Sequence, residues 1–222
     1  MTVTRPYSSL IFGAMLALLP SATLDAGLDA QPTSAIPVAG MEQSASSIEA
    51  LKGGLDALAA NNIDGARSIR DALPANTLDH HVLAWAIALY GGDKVPSGEI
   101  AATAAALPGW PGLIALRNNS ERALYRENPA PEIVVQAFGG SQPLTLEGTV
   151  LLARAYVAQG NVKAAQSVLS PFWRTEKLEA KDEAAIINEF GAIIPAADHR
   201  FRMERMFYAD RVNSALRVAT LA

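Results

Sequence analysis

Residues 157–165, VAQGNVKAA, contain the complete sequence pattern of a helical hairpin. A helix ends at a polar or Gly pair, an aliphatic residue opens the next helix, and a small Ala follows three residues later. The same pattern occurs in AANNIDGA (59–66) and in YADRVNSA (208–215). Because an Ala at this position lets the two helices approach closely, the pattern predicts antiparallel helix pairs of the tetratricopeptide type.

The composition of the whole chain also favours helices. Of 222 residues, 42 are Ala, half are apolar and 18% are charged. Ala is the best helix former, and so apolar a chain is not intrinsically disordered. No stretch of the folded part alternates at period two, so we predict an all-α fold of about eleven short helices. The Ala residues that follow the three turns lie 99 and 50 positions apart, which favours an irregular α-superhelix (solenoid) of tetratricopeptide-like pairs over a regular array. An irregular globular bundle is the alternative.

Residues 1–26 are predicted to be a secretory signal peptide. Arg5 supplies a positive charge, and LIFGAMLALL (10–19) is an unbroken apolar run of ten that small residues follow. A membrane-spanning helix needs about 20 apolar residues, so this run is too short for a stable membrane anchor and is typical of a signal sequence. A buried N-terminal helix is the alternative. Together with the absence of Cys, the signal suits a bacterial periplasm.

The domain boundaries follow from a change in composition. Residues 27–45 are rich in Pro, Ser and Ala without periodicity, which predicts a flexible leader. From Ser46 onward apolar residues recur at helical spacing, and Ser46 with Glu49 fits a capping box at the start of the first helix. We therefore predict an α-superhelical domain over residues 46–222, truncated at its C-terminal end.

Charge and Cys content exclude several classes of function. The 18 Lys and Arg residues against 22 Asp and Glu give a net charge of −4, whereas a nucleic-acid binder needs a basic excess for its phosphate contacts. The absence of Cys excludes disulfides, Cys-ligated zinc, iron–sulfur clusters and a thiol nucleophile. The chain also has no Gly-rich phosphate loop.

The titratable residues are predicted to be structural rather than reactive. His80 and His81 are adjacent and point about 100° apart on a helix, so they cannot jointly bind one metal, and His199 lies in a charged stretch. We expect each His to be solvated or locally paired.

The acidic residues with nearby bases are expected to form solvated faces with i,i+4 pairs: Glu121 and Glu127 with Arg117, Arg122 and Arg126, and Asp182, Glu183 and Glu189 with Lys177 and Lys181. We therefore predict no catalytic, cofactor-binding or metal-binding residue, a prediction that a buried acid lining a sugar-sized cleft would contradict.

The three Trp residues are assigned to packing. Trp110 lies in the turn PGWPG (108–112) and is expected to fill the space between neighbouring helix pairs, with stacking on a sugar as the alternative. Trp85 and Trp173 lie on apolar helix faces and are expected in the core.

Several motifs of the folded part resemble one protein family. They are LPGWPG (107–112), LRNNSERALYRENP (116–129), FWR (172–174), DEA (182–184), FG (190–191), PAADHR (195–200), RMFY (205–208) and ALR (215–217). In order and spacing they resemble the N-terminal superhelical domain of bacterial soluble lytic murein transglycosylases. The resemblance covers roughly residues 46–222.

The resemblance implies a periplasmic protein that acts on peptidoglycan. Members of the family cleave the β-1,4 bond between N-acetylmuramic acid and N-acetylglucosamine and form a 1,6-anhydromuramoyl end, without a metal or organic cofactor. Their catalytic part is a separate lysozyme-like domain, in which a single Glu lies in a Glu-Ser motif that a Gly-Leu-Met-Gln motif follows. Neither motif occurs in this chain, so we expect the chain to be inactive alone.

Two hypotheses of function result. In the first, the chain is a non-catalytic fragment of such an enzyme, forms part of a curved wall that guides glycan strands, and exposes Leu216 and Val218 on its open last helix pair. In the second, it is a stand-alone periplasmic repeat scaffold that binds a protein partner, because solenoids offer long concave surfaces.

Overall fold

The computed structural model describes the backbone of residues 38–222 and the side chains of residues 47–222. Over this range the chain is all-α, as predicted, and forms eleven α-helices with two short 3-10 turns and no strand. The predicted signal peptide (1–26) and residues 27–37 of the predicted leader lie outside the described residues. The helices are α1 (Val38–Ala59), α2 (Ile63–Ala72), α3 (Leu78–Tyr90), α4 (Ser97–Ala106), α5 (Leu113–Glu127), α6 (Pro131–Phe138), α7 (Leu146–Ala158), α8 (Val162–Thr175), α9 (Ala180–Phe190), α10 (Ala196–Tyr208) and α11 (Val212–Val218).

The first helix begins earlier than the sequence pattern predicted. α1 begins at Val38, eight residues before Ser46, so Ser46 is a helix-interior residue and not the cap of a capping box. The intervening segment AGMEQSA (39–45) contains mostly Ala, Met, Glu and Gln, which are good helix formers. Helix propensity therefore extends the helix into the last part of the predicted leader.

The three predicted hairpin turns share one backbone geometry. Asn61, Gly160 and Asp210 have the left-handed φ values 57°, 72° and 59°. In each turn the N–H of this residue donates to the carbonyl three residues back, and the next N–H donates to the carbonyl five residues back. This is the Schellman arrangement, which satisfies the last carbonyls of a helix. The residue after it is already the N-cap of the following helix, so only three residues separate the two helices of each hairpin.

The small Ala of each hairpin is fully buried, as the pattern predicted. Ala66, Ala165 and Ala215 are at most 1% exposed. A side chain of one carbon at this point lets the second helix lie close to the first, and a longer side chain has no space. The hairpin geometry is therefore encoded by three positions: the left-handed residue, the aliphatic residue and the Ala.

Helix packing and the core both follow the order of the chain. Among the described helices, the main contacts join helices that are adjacent or next but one, such as α4 with α5, α7 with α8, and α8 with α10. The core consists of three apolar clusters in succession. They are centred on Ile63, Leu83, Ile87 and Leu116, then on Val134, Phe138, Leu151 and Val168, then on Leu169, Trp173, Ile186, Phe190 and Val218. None of the helices described combines the length and apolar character that crossing a bilayer requires.

The C-terminal pair, α10 and α11, exposes apolar side chains, but not all those predicted. Leu216 is 62% exposed, as expected, whereas Val218 is fully buried. The two residues lie on different faces of α11, and Val218 packs into the last core cluster with Leu169 and Trp173. Phe207 and Tyr208, at the end of α10, are exposed instead.

The buried Ala of the α7–α8 hairpin provides a test of this packing. Ala165→Leu is expected to lower the free energy of unfolding by about 1–3 kcal/mol, because the added carbons have no space between the helices. Ala158→Leu, at the exposed end of α7, is the matched control and should change it by at most about 0.5 kcal/mol. Urea unfolding followed by circular dichroism measures both, and equal losses would contradict the close-approach role of Ala165.

Candidate functional site: a cleft beside α5

The helices α4, α5 and α6 border a cleft of about 480 Å³. One stripe of α5 lines it along its length, with residues spaced three or four apart. Small residues of α4 line one side of the cleft. The C-terminal end of α6 and the residues that follow it line the other side. The lining residues are Leu113, Leu116, Arg117, Ser120, Glu121 and Leu124 of α5, Ser97, Gly98, Ala101 and Ala104 of α4, and Ala137, Phe138 and Ser141. The cleft falls within the usual size range of small-molecule sites.

Glu121 is a buried acid in the lining of this cleft. Its Oε2 accepts hydrogen bonds from the backbone N–H groups of Leu144 (2.9 Å) and Thr145 (2.8 Å) and from the Thr145 hydroxyl (2.8 Å). Its Oε1 accepts from Arg117 Nε at 3.3 Å. Thr145 is the N-cap of α7, so the carboxylate lies at the positive end of that helix. The Leu144 N–H also lies 3.0 Å from Oε1, so donor groups of three residues hold both oxygens of the carboxylate in place.

Gly148 in α7 makes the position of Glu121 possible. A Cβ at residue 148 would lie 2.5 Å from Glu121 Oε2, a distance that real side chains do not adopt. The absence of a side chain at Gly148 thus allows the acid of one helix to reach the first turn of another. This contact ties α5 to α7 across consecutive helix pairs.

A second buried acid, Glu183 of α9, lies at the centre of an ionic network. Its Oε1 accepts from Arg202 Nη2 at 2.5 Å and from the Ser214 hydroxyl, and its Oε2 accepts from Arg217 Nε at 2.6 Å. Burial raises the pKa of Glu183, but the hydrogen bonds from Ser214, Arg202 and Arg217 outweigh it and hold the pKa below its ordinary value. Glu183 is therefore an ionised tie that joins α9 to α10 and α11.

Arg202 is completely buried and extends this network to the end of α8. Its Nη1 donates to the carbonyl oxygens of Trp173 (2.6 Å) and Glu176 (2.8 Å) at the C-terminal end of α8, where helical carbonyls lack partners within the helix. Its guanidinium carbon lies 4.4 Å from the centre of the Trp173 ring, within the range of a cation–π contact. The His199 ring packs edge-on against the same Trp at 5.5 Å.

The prediction of solvated faces is wrong for the acids Glu121 and Glu183, and His199, which was expected to be solvated or locally paired, is buried against Trp173. Glu121, Glu183 and His199 are all less than 5% exposed. Position on the helix is the physical reason: Glu183 shares the apolar face of α9 with Ile186 and Phe190, three and seven residues on. His199 shares a face of α10 with Arg202 and Met206. Polar residues at apolar-face positions are the sequence signal that predicts buried ion pairs.

The other acids predicted to pair along their own helices mostly pair across helices. Glu127 accepts from the N–H of Ser97 at 2.7 Å, at the start of α4. Glu189 accepts hydrogen bonds from Nε and Nη2 of Arg154 in α7. Among the residues predicted to form i,i+4 pairs, only Arg117 and Glu121 do so. Arg122 lies 3.9 Å from Glu147, and Arg126 lies 3.1 Å from Asp93. Asp182 lines a smaller pocket beside α7. Lys177 and Lys181 are exposed.

Trp110 and Trp173 lie where the sequence predicted them, whereas Trp85, expected in the core, is only partly buried and packs against the first core cluster. Trp110 packs on Trp85 of the preceding helix pair at 5.9 Å, and the Trp85 indole N–H donates to the carbonyl of Pro111. Trp173 is fully buried. Trp110 thus joins neighbouring pairs, as predicted. His80 and His81 contact each other edge-on at 5.8 Å.

The described residues hold no group of three His, Asp or Glu side chains placed to bind a metal. A third buried acid, Asp198, is bound by Arg174 and by the Ser170 hydroxyl. Chemically, the region can therefore hold a ligand in the α4–α5–α6 cleft, while its buried acids are occupied by protein donors.

No protein-family model, curated protein or solved structure matches this chain.

The Glu183 network predicts a large loss of stability when its acid is neutralised. Glu183→Gln is expected to lower the free energy of unfolding by about 3 kcal/mol, because it leaves the buried Arg202 without its counter-charge. The exposed Glu179 of the same segment provides the control, and Glu179→Gln should cost at most about 0.5 kcal/mol. The measurement is urea unfolding at pH 7. Wild-type stability should also fall as the pH drops below about 4.5, where the unfolded Glu183 takes up a proton before the folded one. A small loss in Glu183→Gln would contradict the structural role.

Protonation of His199 is expected to cause a second, smaller loss of stability in acid. Burial lowers its pKa from 6.5 and outweighs Asp198, whose charge would raise it. The unfolded chain therefore binds the proton more readily, so this contribution to stability is complete above pH 6.5 and is lost as the pH falls below it. His199→Phe keeps a ring against Trp173 and removes the titration. Urea midpoints between pH 5 and 7 should decline less steeply in the variant, with His80, whose pKa burial also lowers, supplying the remainder. Parallel curves would show that His199 does not titrate this way.

Proposed function

We propose that this chain is the non-catalytic superhelical part of a periplasmic soluble lytic murein transglycosylase. In this role its stacked helix pairs form a wall along peptidoglycan glycan strands, and the reacting Glu belongs to a lysozyme-like domain elsewhere in the protein. The family is proposed on the motifs between residues 107 and 217, of which the PGWPG turn is the most distinctive. Periplasmic location is proposed on the composition of residues 1–26.

The observation that carries the proposal is the repeated hairpin. Three turns with the same Schellman geometry, each followed by a fully buried Ala, build helix pairs of one kind. Packing between adjacent and next-but-one helices, with core clusters in chain order, is what a solenoid of such pairs requires. Both features support a tetratricopeptide-like α-superhelix.

The non-catalytic assignment is supported by the state of the buried acids. A glycan-cleaving site needs a carboxylic acid that can donate a proton to the leaving oxygen. Glu121 is a buried acid that lines a cleft, the arrangement that would contradict the sequence-based prediction of no catalytic residue. Its oxygens accept hydrogen bonds from Leu144, Thr145 and Arg117, and the cleavage experiment below tests Glu121 directly. Glu183 and Asp198 are likewise bound by Arg and Ser donors.

A second candidate function is a repeat scaffold that binds a protein partner. The exposed apolar side chains of the last helix pair favour it: Phe207, Tyr208 and Leu216 are 60%, 91% and 62% exposed. Side chains of this size are common at the centres of protein interfaces. The two functions differ in what the chain binds, and one experiment separates them.

The proposal predicts binding to peptidoglycan without cleavage. Purified chain incubated with peptidoglycan sacculi is expected to sediment with them, and the supernatant is expected to contain no 1,6-anhydromuropeptides by chromatography and mass spectrometry. Insoluble cellulose serves as the glycan control and should not retain the chain. Anhydro products that persist in Glu121→Gln would contradict the non-catalytic role, and products that disappear in that variant would assign the activity to Glu121. A chain that stays in solution would contradict the glycan role and favour the scaffold.

A further inference from the structure

We propose that the α4–α5–α6 cleft binds an aliphatic monocarboxylate, a single acyl chain that carries one carboxylate. This inference goes beyond the proposed function and does not depend on it. It rests on the shape and lining of the cleft, on one guanidinium at its wall, and on the occupied state of Glu121.

The cleft suits an apolar body. Leu113 and Leu116 line its first part, beside Ala104, and Phe138 and Leu124 line its far part. Most of this lining is apolar, so an apolar ligand that covers it removes that surface from water and is stabilised. Ala101 and Ala104 keep the α4 side open because neither side chain extends beyond one carbon.

Arg117 supplies the polar end of the site. Its side chain is 40% exposed, lies in the middle of the α5 stripe and lines the cleft. Nε donates to Glu121 and Nη2 donates to the carbonyl of Gln142, which leaves the Nη1 donors for a ligand. The bond from Arg117 is the longest that Glu121 accepts, and the N–H groups of Leu144 and Thr145 with the Thr145 hydroxyl satisfy both oxygens without it. The guanidinium can therefore bind a second carboxylate, the anion whose geometry it matches best.

The balance of polar and apolar groups selects this ligand over a sugar. A sugar presents a hydroxyl on nearly every ring carbon and needs a donor or acceptor for each one that is buried. Apart from Arg117 and the occupied Glu121, the cleft offers only the hydroxyls of Ser97, Ser120 and Ser141. Ser120 already donates to the carbonyl of Ser97. The single guanidinium at the wall of a mostly apolar cleft therefore matches a ligand with one carboxylate on an acyl chain.

Isothermal titration of the full-length chain with sodium dodecanoate, below its micelle-forming concentration, tests the proposal. We expect saturable binding with one equivalent per chain, and at least about 100-fold weaker binding of butanoate, which keeps the carboxylate and lacks most of the chain. Failure of dodecanoate to bind, or equal binding of the two acids, would overturn it.

Two matched variants of α4 locate the binding. Ala101→Phe places a ring in the cleft and should weaken dodecanoate binding at least tenfold. Ala102→Phe adds the same ring at an exposed position that does not line the cleft and should leave binding unchanged. Because both chains retain every other apolar segment, this pair separates the cleft from binding elsewhere, and equal affinities in the two variants would overturn the assignment.

Arg117→Gln tests the head group. It should weaken dodecanoate binding about tenfold or more, as expected for loss of a charge-assisted hydrogen bond, and unchanged affinity in this variant would contradict the role of Arg117. Circular dichroism monitors whether the variant folds. If it does not, the two α4 variants still decide the proposal, since neither removes a hydrogen bond.

Discussion

The ends of short helices impose the main constraint on this structure. Each helix leaves N–H groups at its start and carbonyl groups at its end without partners, and a chain of eleven described helices multiplies that need. Side chains of neighbouring helix pairs meet it. Glu121 accepts from the start of α7 and Glu127 from the start of α4, while Arg202 donates to the end of α8 and the Asn119 amide donates to the end of α3. These contacts join consecutive pairs and align the three core clusters.

The same constraint shapes what the protein can do. An acid that satisfies a helix start is held in fixed hydrogen bonds, so the buried acids here act as ties between helices. The cleft beside α5 shows the result, because its one acid is occupied and its remaining surface is mostly apolar with a single guanidinium. The glycan wall and the monocarboxylate site that we propose are both binding functions.

Local sequence patterns predicted the helices well and the buried polar groups badly. The polar or Gly pairs of the three hairpins and the Ala positions that follow them depend on contacts within a few residues, so they can be predicted from a short segment. Glu183 was expected in solvent because Lys177 and Lys181 are its neighbours in sequence. Its partners are Arg202 and Arg217, which are brought to it only when α10 and α11 pack on α9.

The amino-acid sequence alone therefore specified an all-helical chain, the positions of three hairpin turns, and the small residues that let paired helices touch, because steric fit and backbone hydrogen bonding act over short distances. Packing between pairs specified the rest. It buried Val218 and left Leu216 exposed, it carried Glu121 to the first turn of α7 past Gly148, and it opened the cleft between α4 and α6. These features need residues from helices far apart in the chain to meet, and no local pattern encodes which of several possible partners each buried charge will find.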